Sequence, residues 1–400
     1  MVINVVDAGC GIGKTTSVIN MINEDTRGNR YLYITPYLSE VSRIMKECPR
    51  HRFREPKNDE SETKLENIKK LLDKGENIVS THALFKKMDE EILDIIEEKE
   101  YILIMDEVAN VVEPLKITND DIKIISTKYT KIKEDGLVEW TLPTYEGKFE
   151  EYKRMIEFNS VMASKDKNGN VNSYVWIFPI RVFEGFKKVY ILTYMFEGQI
   201  QKYYYDLYNV EYKQWYVKDF HLTLEKQKYD MEEFKSKIKI CDIPNLNKIG
   251  DPQFSLSKKW FKTYRNKENV KKLKKNVYSF FRNNAKSKAK ENLWTTFKFA
   301  KDDLKGKGYS SGFAPMNIRA TNDLRHKKAV AYLVNRYLDP IVKVFFFSKN
   351  IKVDESAFAL SELIQFLFRT CVRDKEDIYI YIPSKRMRNL LEKWLKEKDH

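Results

Sequence analysis

The sequence predicts an α/β protein of two lobes, each built on a parallel sheet covered by helices, with insertions in both lobes. Apolar strand segments alternate with helical segments through the first half of the chain, and a similar alternation returns in the second half. A glycine-rich turn joins the first strand to the first helix. The length of 400 residues fits two or three domains.

The first lobe is predicted to span residues 1–200. Its helical patterns cover Thr15–Ile22, Lys64–Asp73 and Asp89–Glu97. The interval from about 115 to 185 is too long for one connection, and we expect it to form a partly β insertion. The predicted strands are Val2–Val6, Tyr31–Thr35, Asn77–Ser80, Tyr101–Met105 and Val189–Leu192.

The second lobe is predicted to span residues 201–400, with a basic insertion at about 250–290. The boundary near residue 200 rests on the order of the motifs, because no linker rich in Pro, Gly or Ser marks it. The predicted elements are strands at Leu293–Phe297 and Ile378–Ile382, a segment at Phe313–Ile318, and helices at about 323–337, 356–370 and from Ser384 to Lys398.

The turn after the first strand fits the phosphate-loop pattern, with Ala8 in place of its first glycine. Glycines let successive N–H groups point at one anion, and the following helix adds the positive end of its dipole. Lys14 would reach the β- and γ-phosphates of ATP, and the Thr15 hydroxyl would bind Mg²⁺. A plain glycine turn is the alternative. The predicted nucleotide-binding residues are Gly9, Cys10, Gly11, Ile12, Gly13, Lys14, Thr15 and Thr16.

A second candidate motif lies where the strand Tyr101–Met105 ends in Asp106 and Glu107. Asp106 can hold Mg²⁺, and Glu107 can polarise the water that attacks the γ-phosphate. Ordinary surface acids after a strand are the alternative. A phosphate loop roughly ninety residues earlier favours the catalytic interpretation.

Basic residues are concentrated between Lys258 and Lys290, where thirteen Lys or Arg accompany one acid, Glu268. Aromatic residues, among them Trp260 and Phe281, are interspersed with the charges. Positive charge attracts a phosphate backbone, and aromatic faces accept stacked bases. The alternative is a solvated helix with its aromatics in the core. We predict nucleic-acid contacts at Lys271, Lys272, Lys274 and Lys275.

The remaining composition excludes several classes of protein. The four cysteines are scattered without metal-ligand spacing, which predicts a reducing, cytoplasmic environment and no zinc site. No run of eighteen apolar residues occurs, so no membrane span is expected, and the N-terminus does not have the pattern of a signal peptide.

Asp106-Glu107-Val108-Ala109 resembles motif II of superfamily 2 helicases and the related DEAD-like ATPases. Other segments resemble further motifs of that family in the expected order, along nearly the whole chain. These are Ile34-Thr35-Pro36, Ile78 to His82, Leu192-Thr193-Tyr194, Asn317 to Asn322, and Gln365 to Arg369 with Arg373 beyond. The size and insertions are similar to those of phage-encoded helicase-like ATPases.

The resemblance implies two RecA-like P-loop NTPase lobes that hydrolyse ATP between them. It assigns catalytic roles to Gln365, Arg369 and Arg373, one arginine acting as the finger that contacts the γ-phosphate. It also implies nucleic-acid contacts at Thr35, Thr81, His82 and Thr321. The sequence departs from the family where Phe368 replaces the glycine before the first arginine, and where Arg373 lies four residues after Arg369 instead of three.

The function predicted from these observations is an ATP-dependent helicase or translocase in phage replication or recombination. It is expected to act on DNA, with single-stranded or forked DNA favoured, and RNA stays open as the less favoured substrate. Two alternatives stay open. One is a phage DNA-packaging ATPase, and the other is a nucleotide-switched nucleic-acid-binding factor that does not unwind. We expect no membrane partner, and the sequence leaves the oligomeric state open.

Overall fold

This computed structural model describes residues 1–36, 38–58, 62–165, 168–263, 266–316 and 324–397. The strands are β1 Val2–Asp7, β2 Tyr31–Thr35, β3 Ile78–Thr81, β4 Ile102–Asp106, β5 Val112–Pro114, β6 Thr130–Ile132, β7 Val138–Trp140, β8 Val161–Lys165, β9 Val171–Ile177, β10 Lys188–Thr193, β11 Glu211–Lys218, β12 His221–Thr223, β13 Ile238–Ile240, β14 Asn292–Thr295, β15 Ala329–Tyr332 and β16 Ile378–Tyr381.

The α-helices are α1 Lys14–Asn23, α2 Leu38–Glu47, α3 Lys64–Asp73, α4 His82–Phe85, α5 Glu90–Glu98, α6 Asn119–Ile124, α7 Glu150–Glu157, α8 Arg181–Glu184, α9 Ile200–Leu207, α10 Glu232–Ser236, α11 Pro244–Asn247, α12 Lys258–Lys262, α13 Lys267–Ser279, α14 Lys301–Leu304, α15 Pro340–Ser348, α16 Glu355–Leu367 and α17 Lys385–Lys396. Several begin at side-chain caps. Thr63 and Glu66 form a capping box at α3, and Asp89 caps α5.

The first sheet has seven strands in the order β12-β11-β1-β10-β4-β2-β3. All neighbouring pairs are parallel except β11 and β12, which form an antiparallel hairpin. Strands β2 and β4 are almost continuously buried, as expected for a parallel sheet with both faces covered. The carboxyl ends of β1 and β4 therefore lie at the same edge of this sheet, separated by β10.

The predicted insertion is partly β, as expected. It contains the antiparallel sheet β5-β9-β8 and the hairpin β6–β7, and its own core holds Ile125, Trp140 and Phe149. Helix α15 contacts β5, β8 and β9, although it follows them in sequence by more than 160 residues.

The chain divides into two compact units whose limits differ from the boundary expected near residue 200. One unit comprises Met1–Ala8, Gly13–Lys226 and Leu338–Asp354, and the other comprises Gly9–Ile12, Gln227–Tyr337 and Glu355–His400. Residues 211–223 join the first unit because β11 pairs with β1 and β12 pairs with β11.

The second unit contains a four-stranded parallel sheet in the order β13-β16-β15-β14. The helix expected at about 323–337 is wrong, because this segment contains the buried strand β15. A strand buried on both faces is a continuous apolar run, which periodicity alone does not separate from a buried helix. Phe313 makes an isolated bridge to Trp294, and Asn317 and Ile318 lie outside the described residues.

Both units are thus α/β, with parallel sheets whose strands are connected through helices. This confirms the predicted fold class of two RecA-like lobes with insertions.

Candidate functional site

The glycine-rich loop ends at the N-terminus of α1, as predicted. Gly13 is the N-cap residue of α1, with φ of 97°, a backbone conformation that glycine adopts without strain. Gly11 has φ of 87°, and the Ile12 N–H donates to the Gly9 carbonyl at 3.3 Å. The thiol of Cys10 is partly exposed. The Lys14 ammonium donates to the Ala8 carbonyl at 2.6 Å, so it curls back over the loop.

The two acids at the end of β4 are partly exposed. The hydroxyl of the buried Tyr33 donates to Asp106 Oδ2 at 3.5 Å, and His82 Nε2 lies 3.0 Å from the Asp106 carbonyl oxygen. Burial, with the charge of Asp106 next, raises the pKa of Tyr33, so this hydroxyl keeps its proton. Glu107 has φ of 66°, which is uncommon for a residue with a side chain and marks a sharp turn directly after the strand.

A direct contact joins the two motifs. The Thr15 hydroxyl donates to Asp106 Oδ2 at 3.4 Å, across 91 residues of sequence. A hydroxyl and one carboxylate are ligands that Mg²⁺ takes in nucleotide sites, where phosphate oxygens and waters complete the octahedron. Thr15 and Asp106 therefore fit a magnesium ion chemically.

The segment that resembles motif III bridges the same two motifs through its backbone. The Leu192 carbonyl accepts from the Glu107 N–H at 2.9 Å, and the Thr193 carbonyl accepts from the Ala8 N–H at 3.3 Å. Because β10 lies between β1 and β4, a shift of this strand would move both the glycine loop and the acidic pair.

Asp7, the last residue of β1, anchors the same edge of the sheet. Its carboxylate accepts from the N–H groups of Met195 at 2.9 Å and Phe196 at 3.0 Å. Burial raises the pKa of Asp7, while these two hydrogen bonds and the charge of Lys14 act in the opposite direction. Asp7 thus fixes the turn after β10.

Gln201 is a positioning residue that the sequence analysis missed. It is fully buried, and its side-chain oxygen accepts from the Ala109 N–H at 2.8 Å. Its amide donates to the Tyr205 hydroxyl at 2.7 Å. A buried glutamine on α9 therefore holds the segment that follows Glu107. In the sequence, the sign that could have revealed it was a polar residue on an otherwise apolar face of a helix.

The three threonines and the histidine predicted to contact nucleic acid differ in exposure. Thr35 is fully buried at the end of β2, so its side chain does not face solvent. Thr81 and His82 are partly exposed at the end of β3. Thr321 lies outside the described residues, as does the whole segment that resembles motif V.

The four predicted lysines on α13 line a groove of about 650 Å³ in the second unit. Leu273 and Val277 of the same helix are fully buried in the core, so the lysines occupy the outer face. Lys271 pairs with Glu268 at 2.7 Å and thereby lowers the pKa of that carboxyl group. The residues lining the groove are Glu268, Lys271, Lys272, Lys274, Lys275, Tyr278, Gly306, Lys307 and Tyr309.

The aromatic residues of the basic segment divide between core and surface. Phe280 and Phe281 are buried in the core, so a stacking role is wrong for these two, and Tyr264 lies outside the described residues. A pair of phenylalanines that the sequence analysis missed lies shortly after β14, with Phe297 partly buried and Phe299 exposed. Phe297 and Phe299 stack with centroids 5.7 Å apart, and the Lys262 ammonium lies 5.4 Å from the Phe299 ring centroid. The Phe-Lys-Phe sequence at a strand end was the available signal.

The residues that resemble motif VI lie at the end of α16 and just beyond it. Gln365 is partly buried within α16, and Arg369 follows that helix with 9% of its surface exposed. Arg373 is partly exposed in the short helical turn Cys371–Asp374. Of the nearby acids, Glu362 pairs with Arg336 at 3.3 Å, and Asp374 pairs with Arg325 at 3.2 Å.

Among the described helices, none is both long enough and apolar enough to cross a membrane. In the described part of the chain, His, Cys, Asp and Glu side chains nowhere gather in threes or more in a way that could hold a metal ion.

The first sheet carries a glycine loop after β1 and two acids after β4, and β10 lies between these two strands. This arrangement defines the fold class of the RecA-like P-loop NTPases.

Comparison with known proteins places the chain within one family. The model of the YonV C-terminal Rossmann-like domain matches residues 232–395, and the model of the YonV middle domain matches residues 112–171. The SPbeta prophage-derived uncharacterized protein YonV of Bacillus subtilis (strain 168) is 41% identical over 410 residues, which cover 98% of each chain. The chain belongs to the YonV family.

Two solved structures resemble the chain weakly. The DUF1998 helicase MrfA bound to DNA and AMPPNP has a TM-score of 0.34 and 11% identity; the match covers 100% of this chain and 49% of that one. A hypothetical ATP-dependent RNA helicase from Sulfolobus tokodaii has a TM-score of 0.29 and 12% identity, with 98% and 90% covered. Scores this low support no conclusion about function.

Proposed function

We propose that the chain is an ATP-dependent helicase or translocase of the superfamily 2 type that acts on DNA. The observation that carries the proposal is the 3.4 Å contact between the Thr15 hydroxyl and Asp106, which unites the phosphate loop with the acidic pair at one edge of the sheet. This is the arrangement that Mg²⁺-dependent hydrolysis of a triphosphate requires.

The candidate site residues of the first unit have separate roles in this proposal. Lys14 would leave the Ala8 carbonyl to pair with the β- and γ-phosphates. Thr15 and Asp106 would hold a Mg²⁺ ion, whose charge would offset that of the phosphates. Glu107 orients the attacking water and accepts its proton. The Leu192 carbonyl holds the backbone of Glu107, and Gln201 holds that of Ala109, so the carboxylate is pre-positioned.

A nucleic-acid substrate is proposed from the charge of the second unit. The groove along α13 is lined by five lysines and one acid, and an excess of positive charge attracts a phosphate backbone. The Bacillus subtilis relative is prophage-derived, and we therefore propose a role in phage DNA replication or recombination, in the cytoplasm of a bacterial host.

Measuring ATP turnover with and without single-stranded DNA tests the proposal against its alternatives. Stimulation by single strands supports a helicase or translocase. Stimulation only by a capsid portal would identify a packaging motor, and tight nucleotide binding without turnover would identify a nucleotide-switched binding factor. Substituting single-stranded RNA in the same assay decides between the two nucleic acids.

The groove predicts a specific dependence on salt. Changing Lys271, Lys272, Lys274 and Lys275 together to Gln is expected to weaken DNA binding and flatten the plot of log affinity against log salt concentration. The slope should fall by about one for each lysine–phosphate pair that the variant removes, and by up to about four in total. Fluorescence anisotropy across a salt series measures this slope.

The matched control for that variant replaces the three exposed lysines of α17, Lys385, Lys393 and Lys396, with Gln. This change removes similar charge from the same unit and should leave the slope nearly unchanged. An equal fall in slope for both variants would show that net charge, and not the groove, governs binding.

The proposed roles of Arg369 and Arg373 follow from the resemblance to motif VI. Changing the finger arginine to Ala is expected to lower the turnover rate about 10³-fold or more while the Kd for ATP changes little, because the guanidinium acts on the transition state. Comparing R369A with R373A identifies which arginine acts, and R325A serves as the control. Turnover at the wild-type rate in both variants would remove the assignment.

A further inference from the structure

The tip of the hairpin β11–β12 has an unusual conformation for its sequence. The hairpin turns at Asp219 and Phe220, whose φ angles are 48° and 58°. Two successive residues with positive φ make a tight primed turn, for which Asn and Gly are the favoured residues. A phenylalanine there is strained, and this residue is 56% exposed. Packing into a core therefore does not explain its presence.

The hairpin tip is fixed against helix α1. Asn20 Nδ2 donates to the Phe220 carbonyl at 3.0 Å, and His221 Nε2 lies 3.1 Å from Glu24 Oε1. The Phe220 ring lies on the backbone of Gly13, since a Cβ added to Gly13 would lie 2.7 Å from the ring carbon Cδ1. An exposed aromatic face is thus held beside the last glycine before Lys14.

The order of the strands indicates which end of a nucleotide this face would meet. Strand β11 lies on one side of β1, while β10 and β4 lie on the other. Because Thr15 and Asp106 are the residues that would hold Mg²⁺, the terminal-phosphate end of a triphosphate would lie on the side of β4. The nucleoside at the opposite end of the triphosphate would leave the loop toward the hairpin.

We propose that Phe220 stacks on the base of the bound nucleoside triphosphate and is a nucleobase-binding residue of this site. The inference rests on the proposed nucleotide-binding function. A ring offers its face to a base through stacking, which contributes affinity for every base because each has a π-face. In this proposal the strained turn orients the ring face toward the base.

The test compares nucleotides with a ligand that lacks a base. Calorimetry in the presence of Mg²⁺ gives the Kd of ATP, GTP and inorganic tripolyphosphate for the wild type and for F220A. We expect F220A to bind ATP and GTP about tenfold more weakly, as removal of one stacked base implies, and to bind tripolyphosphate within about twofold of the wild type. F220W should restore ATP affinity. The matched control is F347A, which removes a phenylalanine that is 78% exposed on α15.

The outcomes separate this inference from the function on which it rests. Equal ATP affinity in F220A and the wild type overturns the stacking role and leaves nucleotide binding intact. Equal weakening of ATP and tripolyphosphate binding in F220A also overturns it, because the ring then acts only by shaping the loop at Gly13. A wild-type protein that binds neither ligand overturns the proposed function and this inference together.

Discussion

A Glu107→Gln protein is expected to bind ATP and Mg²⁺ with nearly wild-type affinity and to hydrolyse ATP roughly 10²- to 10⁴-fold more slowly. Glutamine has nearly the same shape as glutamate, so the turn after β4 and the hydrogen bond from the residue 107 N–H to Leu192 should persist. The amide cannot accept a proton from the attacking water. Turnover by phosphate release and affinity by calorimetry would measure the two effects separately.

The control for this variant is Glu98→Gln, which changes an acid on α5 whose side chain is 71% exposed. It should leave both affinity and rate unchanged. The catalytic assignment fails if the Glu107→Gln protein turns over at the wild-type rate.

A Lys14→Ala protein is expected to lose nucleotide binding, and turnover with it. Truncating one partner of a desolvated charge pair costs about 2–5 kcal/mol, which corresponds to roughly thirty-fold to several-thousand-fold in Kd. The fold should survive, because Lys14 lies in the first turn of α1, and its side chain is only partly buried. Calorimetry with ATP, and with tripolyphosphate under the same conditions, measures the change in affinity.

Lys46→Ala is the matched control, because Lys46 is an exposed lysine in the last turn of α2. The pair Lys14→Ala and Glu107→Gln also forms a diagnostic contrast. The first variant should lose binding and the second only hydrolysis, and a Lys14→Ala protein with wild-type affinity would show that the loop does not hold the phosphates.

The first lobe could be predicted from the sequence because its signals are local. Strands such as Tyr31–Thr35 are short runs of buried residues, and the glycine loop follows its strand directly. Strand β11 was not predicted, because Glu211, Lys213 and Gln214 are exposed and the segment lacks the continuous apolar run of a central strand. Strand β15 was mistaken for a helix for the opposite reason, since all four of its residues are buried.

The sequence by itself identified the two candidate motifs, the glycine loop with Lys14 and Thr15 and the acids Asp106 and Glu107, since each is a short local pattern at the end of a strand. Only the tertiary structure decided that β10 separates the two strands, that Gln201 holds the segment after Glu107, and that Phe220 lies on Gly13. These relations join residues up to about 200 positions apart, as in the hydrogen bond from Asn20 to the Phe220 carbonyl. Pairing over such distances depends on which strands and faces pack best together, and no local pattern of residues records that choice.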